Sequence, residues 1–174
     1  MLSPVLAKSD CAACKFCCSF RRTSLWETPI FDEADFEKLK ELYPAAKFRK
    51  AGVSGHSYTF DISDQYKTDD PNEEVLCPFL DPSRGCQLPP ELKPFDCKIW
   101  PLRAVSVPKQ SESAPAHLAV ALTPTCPAIN KQPLQKVRDL AAGGLGAKIL
   151  EYAESHPDII KEYSEFLSEI VFSK

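Results

Sequence analysis

The chain has 174 residues, 44% of them hydrophobic, with a formal net charge of −3 and a pI near 5.7. That length suits a single domain that buries a core of its own, with room for a small helical appendage, so its eight cysteines are not needed in place of a core. The acidic balance and the lack of any Lys/Arg-rich run exclude a general nucleic-acid binder, and no apolar stretch approaches a membrane helix in length.

The chain opens on a short apolar stretch, residues 2–7, with its first lysine, Lys8, after it. A secretory leader has the charge first and a longer apolar core, so the expected compartment is the cytoplasm. Thiols stay reduced there, and clustered cysteines favour metal over disulfide. Next comes Cys11-Ala-Ala-Cys14-Lys-Phe-Cys17-Cys18, four thiols in eight residues. A core asks only for apolar volume, whereas thiolates spaced by two residues can turn toward one centre, as in zinc and iron–sulfur sites. Cys17 and Cys18 are neighbours that point apart, so at least one is expected in a different role from its neighbour.

Asp32 then stands as an N-cap, with Asp35 and Glu37 in the first turns that follow. Phe36, Leu39, Leu42 and Tyr43 recur at helical spacing and Pro44 stops the run, which predicts a helix over 33–43. Residues 56–62 alternate aromatic and polar side chains and predict a strand, followed by a polar loop over 64–74. A second cysteine block spans 77–101, with Cys77, Cys86 and Cys97. Pro82-Ser-Arg-Gly85 reads as a turn that returns Cys86 toward Cys77. Residues 102–107 and 117–123 predict two strands, with a polar hairpin loop over 108–115 and Cys126 after the second strand. The remainder reads as helical. Leu134, Val137, Leu140 and Ala141 share a face, three glycines at 143, 144 and 146 interrupt it, and a last helix is expected from His156-Pro157. Its apolar stripe, Ile159, Ile160, Tyr163, Phe166, Leu167 and Ile170, is expected to pack in the core or against a second copy. The expected fold is therefore α+β, one domain over 1–174. It has a core at 10–130 with a small antiparallel sheet and proline-rich metal-binding loops, and C-terminal helices over 133–172. Sixteen prolines against six glycines agree with loops of fixed path.

The two cysteine blocks together resemble the CxxCxxCC, or YkgJ-type, cysteine-cluster family, described as zinc- or iron-chelating. Cys11 to Cys18 matches the naming motif in full. Cys77-Pro-Phe-Leu, Gly85-Cys86 and Pro94-Phe-Asp-Cys97-Lys-Ile-Trp-Pro101 match the second half in order and spacing. Where the family usually has an Arg-Pro pair, this chain has Lys93-Pro94. The resemblance covers roughly residues 10–130 and implies a metal-binding domain. The flagellin lysine-N-methylases carry a similar cluster, which gives the alternative of an enzyme using its metal centre on a protein or small-molecule substrate. The chain is short for that enzyme and has no Gly-rich nucleotide loop.

All eight cysteines, Cys11, Cys14, Cys17, Cys18, Cys77, Cys86, Cys97 and Cys126, are candidate metal ligands. The repeated C-x2-C step matches a bacterial ferredoxin loop, and Cys77 and Cys126 are each followed by proline, as the fourth ferredoxin ligand is. This favours a 4Fe–4S cluster, with three loop thiolates and one remote. Zinc in one or two four-sulfur sites is the alternative, weakened by the lack of a second C-x-x-C knuckle. The negative charge of gathered thiolates calls for Lys15, Arg21, Arg22, Lys98 or Arg103 nearby, and Phe16, Trp26, Phe79, Phe95 and Trp100 are candidates to wall the site from water. His56, His117 and His156 are read as structural. No C-x3-C-x2-C radical signature or catalytic triad stands out, and Cys14-Lys-Phe-Cys17 lacks the preceding strand that a thioredoxin-like motif needs.

Overall fold

The computed structural model describes residue 2 and residues 12–109, 116–124, 126–127, 129–131 and 133–173. The fold is α+β, and the chain forms two compact units, residues 8–97 and residues 1–7 with 98–174.

Within 8–97 the elements are short. In chain order they are β1 (Ser19–Phe20), β2 (Phe31–Asp32), α1 (Glu33–Leu42), β3 (Phe48–Ala51), β4 (Ser57–Phe60), β5 (Val75–Leu76), β6 (Leu80–Asp81) and β7 (Gly85–Cys86), ending in α2 (Phe95–Ile99), which carries Cys97. The expected helix is present with its expected cap. The Asp32 carboxylate accepts the Asp35 N–H at 2.7 Å, Glu33 and Asp35 lie at the positive end and Lys40 at the negative end. The Tyr43 N–H closes the last turn on Leu39 O at 2.8 Å, and Leu39 is fully buried.

The strand read over 56–62 is β4, at the centre of a three-stranded antiparallel sheet in the order β2–β4–β3. The β3–β4 connection turns on Gly52 (φ 71°) and Gly55 (φ 77°), left-handed positions that glycine adopts without strain. Two further strand pairs, β1–β5 and β6–β7, frame the cysteine segments. The core of this unit is aromatic. Phe79 meets Phe31 (ring centroids 6.0 Å), Phe48 (6.1 Å), Phe60 (6.1 Å) and Tyr43 (5.1 Å), mostly edge to face.

The other unit is built on the two strands expected near 102 and 117. They are β8 (Leu102–Val107) and β9 (His117–Leu122), paired antiparallel from Leu102↔Leu122 to Val107↔His117. Most of the loop expected between them, residues 110–115, lies outside the described residues. Helices α3 (Leu134–Leu140) and α4 (Gly146–Ser155) follow, separated by a kink at Gly143 and Gly144 (φ 109°), where the sequence placed its interruption. α4 buries Ile149, Leu150 and Ala153.

The last expected helix is not there. After a 3₁₀ turn at Pro157–Ile159 the chain forms β10 (Lys161–Glu162) and β11 (Glu169–Ser173), giving a sheet in the order β10–β8–β9–β11. The β8–β9 pair presents two open edges of unpaired backbone groups. β10 covers one in parallel and β11 the other antiparallel. Ile170-Val171-Phe172 also suits a pleated strand better than a helix. The apolar stripe is divided accordingly. Ile159 is buried and Tyr163 packs against Val105, Val107, Ala119 and Ala121. Phe166, expected in a core or dimer face, is 95% exposed in the turn before β11. The C-terminal part of the fold is thus helices followed by edge strands.

No helix among the described residues is long and apolar enough to cross a membrane.

Gly146 sits where α4 meets β11. A Cβ there would lie 2.4–2.8 Å from three atoms of the Phe172 side chain. Gly146→Ala is expected to lower stability by about 1–3 kcal/mol, although alanine is the better helix former, because the ring must be displaced. Urea unfolding of the two proteins measures this, and an equal or higher midpoint for the variant contradicts the packing.

Candidate metal centre

Seven of the eight cysteines belong to the unit of residues 8–97. Cys126, also a predicted ligand, lies in the other unit, buried and with its carbonyl accepting the Ile129 N–H at 3.1 Å. Cys11 lies outside the described residues.

The loop is helical over residues 12–14, passes through Lys15 in the left-handed region (φ 56°), and re-enters a 3₁₀ turn at Phe16–Cys18. Lys15 is the one non-glycine with positive φ among the described residues. A lysine held there stores backbone strain of about 1 kcal/mol, retained where surrounding contacts fix the turn. Those contacts are visible at its end. The Cys18 N–H bonds Lys15 O at 2.9 Å, Cys18 O accepts the Cys77 N–H at 2.8 Å, and β1 pairs with β5 immediately beyond. One backbone ladder thereby joins the cysteine loop to the second cysteine block.

Cys77 begins a tight turn, with Leu80 N–H on Cys77 O at 3.0 Å, and the Phe79 amide lies near enough to the Cys77 sulfur to favour its thiolate. Such an amide stabilises a thiolate and orients a ligating sulfur. Phe79 is held there by burial of its ring in the aromatic core, so the same residue fixes the core and the turn.

The turn over 82–85 returns the chain as expected. Leu80 pairs with Cys86, and Gln87 N–H bonds Phe79 O at 2.8 Å. Asp81 shapes this hairpin. Its Oδ1 accepts Ser83 Oγ (2.6 Å), Ser83 N (2.8 Å) and Arg84 N (2.9 Å), and its Oδ2 accepts two Arg84 guanidinium donors. The bonds from Ser83, then Arg84, hold the carboxyl well below its ordinary range. Gly85 (φ 83°) is buried under the loop, where an added Cβ would stand 2.9 Å from Ala12 Cβ. That is a second contact between the cysteine segments. Cys97 sits in α2 beside Asp96, whose Oδ2 accepts the Ile30 N–H at 3.1 Å.

The thiols act on one another in pairs: Cys77 feels Cys86 and Cys17, and Cys97 feels Cys17 and Cys77. Burial pushes the Cys77 thiol from 9.0 up to about 12, with Cys86 and Cys17 adding to the shift and the Phe79 amide opposing it. Burial also raises Cys97 well above its ordinary value, with Cys17, Asp96 and Cys77 adding and Lys93 opposing. Cys17 from the loop thus lies within electrostatic reach of Cys77 and Cys97 in the block, and Cys86 within reach of Cys77. Among the described residues, no set of three or more His, Cys, Asp or Glu side chains is closed to metal-binding distance. In its chemistry a set of thiols suits a soft metal, and these range from partly buried at Cys17, Cys77 and Cys97 to exposed at Cys86.

The expected counter-charges are differently disposed. Arg21 pairs with Glu74 at 3.1 Å. Arg22 lies 4.3 Å over the Tyr66 ring, donates to Thr68 O and stands 3.9 Å from Glu73. Arg103, in the other unit, lies 4.6 Å over the Trp100 ring, and Lys98 belongs to that unit as well. The cation acting on Cys97 is Lys93, which the sequence marked only as standing where an arginine is usual. Of the expected aromatic walls, Phe79 is buried in the core, whereas Phe16 and Trp26 are about half exposed. His56 is exposed, 3.5 Å from Glu33, while His117 and His156 belong to the other unit.

Comparison with protein-family models, curated proteins and solved structures finds no match to this chain.

Two outcomes follow from the Cys77–Phe79 turn. Phe79→Ala is expected to cost about 3–5 kcal/mol, because a large buried ring is deleted. It is also expected to expose Cys77 to alkylation under conditions where the native protein is slow to react, and unchanged labelling of Cys77 contradicts the coupling. In protein stripped of metal, the folded state keeps Cys77 and Cys97 protonated at pH values where the unfolded chain ionises them. The associated stability is full below 9.0 and is lost as pH rises from 9.0 toward 12. Urea midpoints across that window should fall more steeply for the native sequence than for Cys77→Ala.

Proposed function

We propose that this protein binds a soft metal centre, an iron–sulfur cluster or zinc, through thiolates of the cysteine loop and the 77–97 block, as the resemblance to the CxxCxxCC family implies. The observation that carries the reading is the bond from Cys77 N–H to Cys18 O at 2.8 Å, which joins two cysteine segments nearly sixty residues apart. The pairing of the surrounding strands and the mutual influence of Cys17, Cys77, Cys86 and Cys97 support it further.

When bound, the metal supplies the charge that lets these thiols ionise. This chain's residues do the rest. Phe79 offers its amide to the Cys77 sulfur, Lys93 offsets charge at Cys97, the aromatic core keeps water from Cys77, and Asp81 and Gly85 hold the hairpin that bears Cys86. Thiolate suits zinc and iron alike, so ligand softness does not choose between them. The two differ in redox behaviour and colour.

Protein purified without oxygen is expected to carry metal in stoichiometric amount. A brown protein that bleaches on reduction identifies the cluster, and a colourless one with bound zinc identifies zinc. Cys97→Ser should lower metal content at least tenfold while Cys126→Ser leaves it unchanged, both read by elemental analysis. Protein that holds neither metal after anaerobic purification and reloading overturns the reading.

A further inference from the structure

We propose that the outer edge of β3 is a docking site for an extended, acidic segment of another protein, which adds there as a further strand and seats one apolar side chain in the cavity beside it. In the sheet β2–β4–β3, no strand among the described residues pairs with the outer edge of β3. The register fixes which backbone groups lie on that edge. Asp61 N–H bonds Lys47 O at 2.7 Å across the strands, so Phe48 and Lys50, opposite Phe60 and Tyr58, stand at the non-hydrogen-bonded positions of the β3–β4 ladder. Their N–H and C=O groups therefore point outward, and their side chains share one face of the strand. Beside Phe48 lies a solvent-open cavity of about 390 Å³, lined by Phe36 and Lys40 of α1, Pro44, Ala46 and Phe48 itself. Its aromatic wall is firmly held. The Phe36 ring stacks on Tyr58 (centroids 3.8 Å) and meets Phe48 edge to face (5.3 Å), with Lys40 Nζ 4.6 Å from the Phe36 centroid.

Charge and spacing choose the occupant. Lys40 stands at the cavity, paired with Glu37 of its own helix, whereas Lys50 makes no ion pair among the described residues. An antiparallel strand added to β3 places one residue opposite Lys50 and another opposite Phe48. Both are hydrogen-bonded pairs, which satisfy the outward N–H and C=O groups of each residue. Opposite Lys50 an aspartate or glutamate is favoured, and opposite Phe48 an apolar side chain reaches the cavity. The recognised pattern, in chain order, is acidic-x-apolar. A second copy of this chain fits poorly. β3 against β3 sets Arg49 and Lys50 of one copy against the same cations of the other, and like charges facing across a strand pair are unfavourable. The cations that guard this edge against its own kind thus select an acidic partner.

The experiment uses the full chain, isotope-labelled for NMR, and the capped peptide acetyl-Ser-Thr-Asp-Val-Leu-Thr-amide as probe. Backbone amide shifts are followed as the peptide is added. The expected result is saturable binding, with the largest shifts at Phe48 and Lys50 and at the cavity residues Phe36, Lys40 and Ala46. Serine in place of the probe's leucine weakens binding about tenfold, since the cavity loses its apolar occupant. N-methylation of that leucine weakens it too, because a ladder donor is removed. Lys50→Glu weakens binding about fivefold, and a probe carrying lysine in place of aspartate restores it for that variant. Lys50 is exposed, and the variant's amide spectrum checks that its fold is unchanged. No shift at Phe48 and Lys50, equal binding of all the probes, or a charge swap that restores nothing overturns the proposal. Concentration-dependent dimerisation that shifts the same amides without peptide also overturns it, in favour of a second copy.

Discussion

The burial of Phe79 is the constraint on which the unit of residues 8–97 depends. Its ring touches Phe31, Phe48, Phe60 and Tyr43, and so ties together α1, the three-stranded sheet and the second cysteine block. Removing such a ring from water is worth about 2–3 kcal/mol, with edge-to-face contacts adding to it. The chain between Cys77 and Leu80 has little freedom once that ring is seated. The Phe79 amide then faces the Cys77 sulfur as a consequence of packing. A site built this way borrows its rigidity from a core that exists for other reasons.

The second constraint is the accounting of backbone groups. Strands of two residues are weak alone, and the unit of residues 8–97 uses several of them. They hold because each continues into a turn with its own partners: Cys18 into Cys77, Leu80 into Cys86, Asp81 into Ser83 and Arg84. Cys18, Cys77 and Cys86 lie at or just beyond the ends of these short elements, where the chain changes direction. The strained Lys15 marks the same economy in the loop.

Charge around the thiols is arranged sparingly. Arg21 and Arg22 are occupied by Glu74, Glu73 and Tyr66, and they organise the polar loop before β5. Lys93 is the cation that acts on Cys97, while Asp96 acts against it as it holds Ile30. Partial burial pushes the Cys77 and Cys97 thiols toward their neutral form. On the proposed reading, metal uptake is linked to proton release and to pH.

Local signals were legible wherever they were complete within a few residues. The cap at Asp32, the stop at Pro44, the alternation around Tyr58 and the turn before Cys86 each determine their own structure, because the hydrogen bonds involved are short-range. The cysteine spacing is what carries the proposal of chelation, since no core needs four thiols in eight residues. The sequence could not say which thiols meet. That depends on pairings such as β1 with β5 across more than fifty residues, which bring Cys17 within electrostatic reach of Cys77 and Cys97 while Cys126 falls in the other unit. Nor could helical periodicity after His156 foresee β10 and β11, because the open edges of β8 and β9 exist only once that hairpin has formed. Local hydrogen bonding is written in adjacent residues. Pairing partners, burial and the neighbours of a thiol are properties of the assembled chain, and only the tertiary structure decides them.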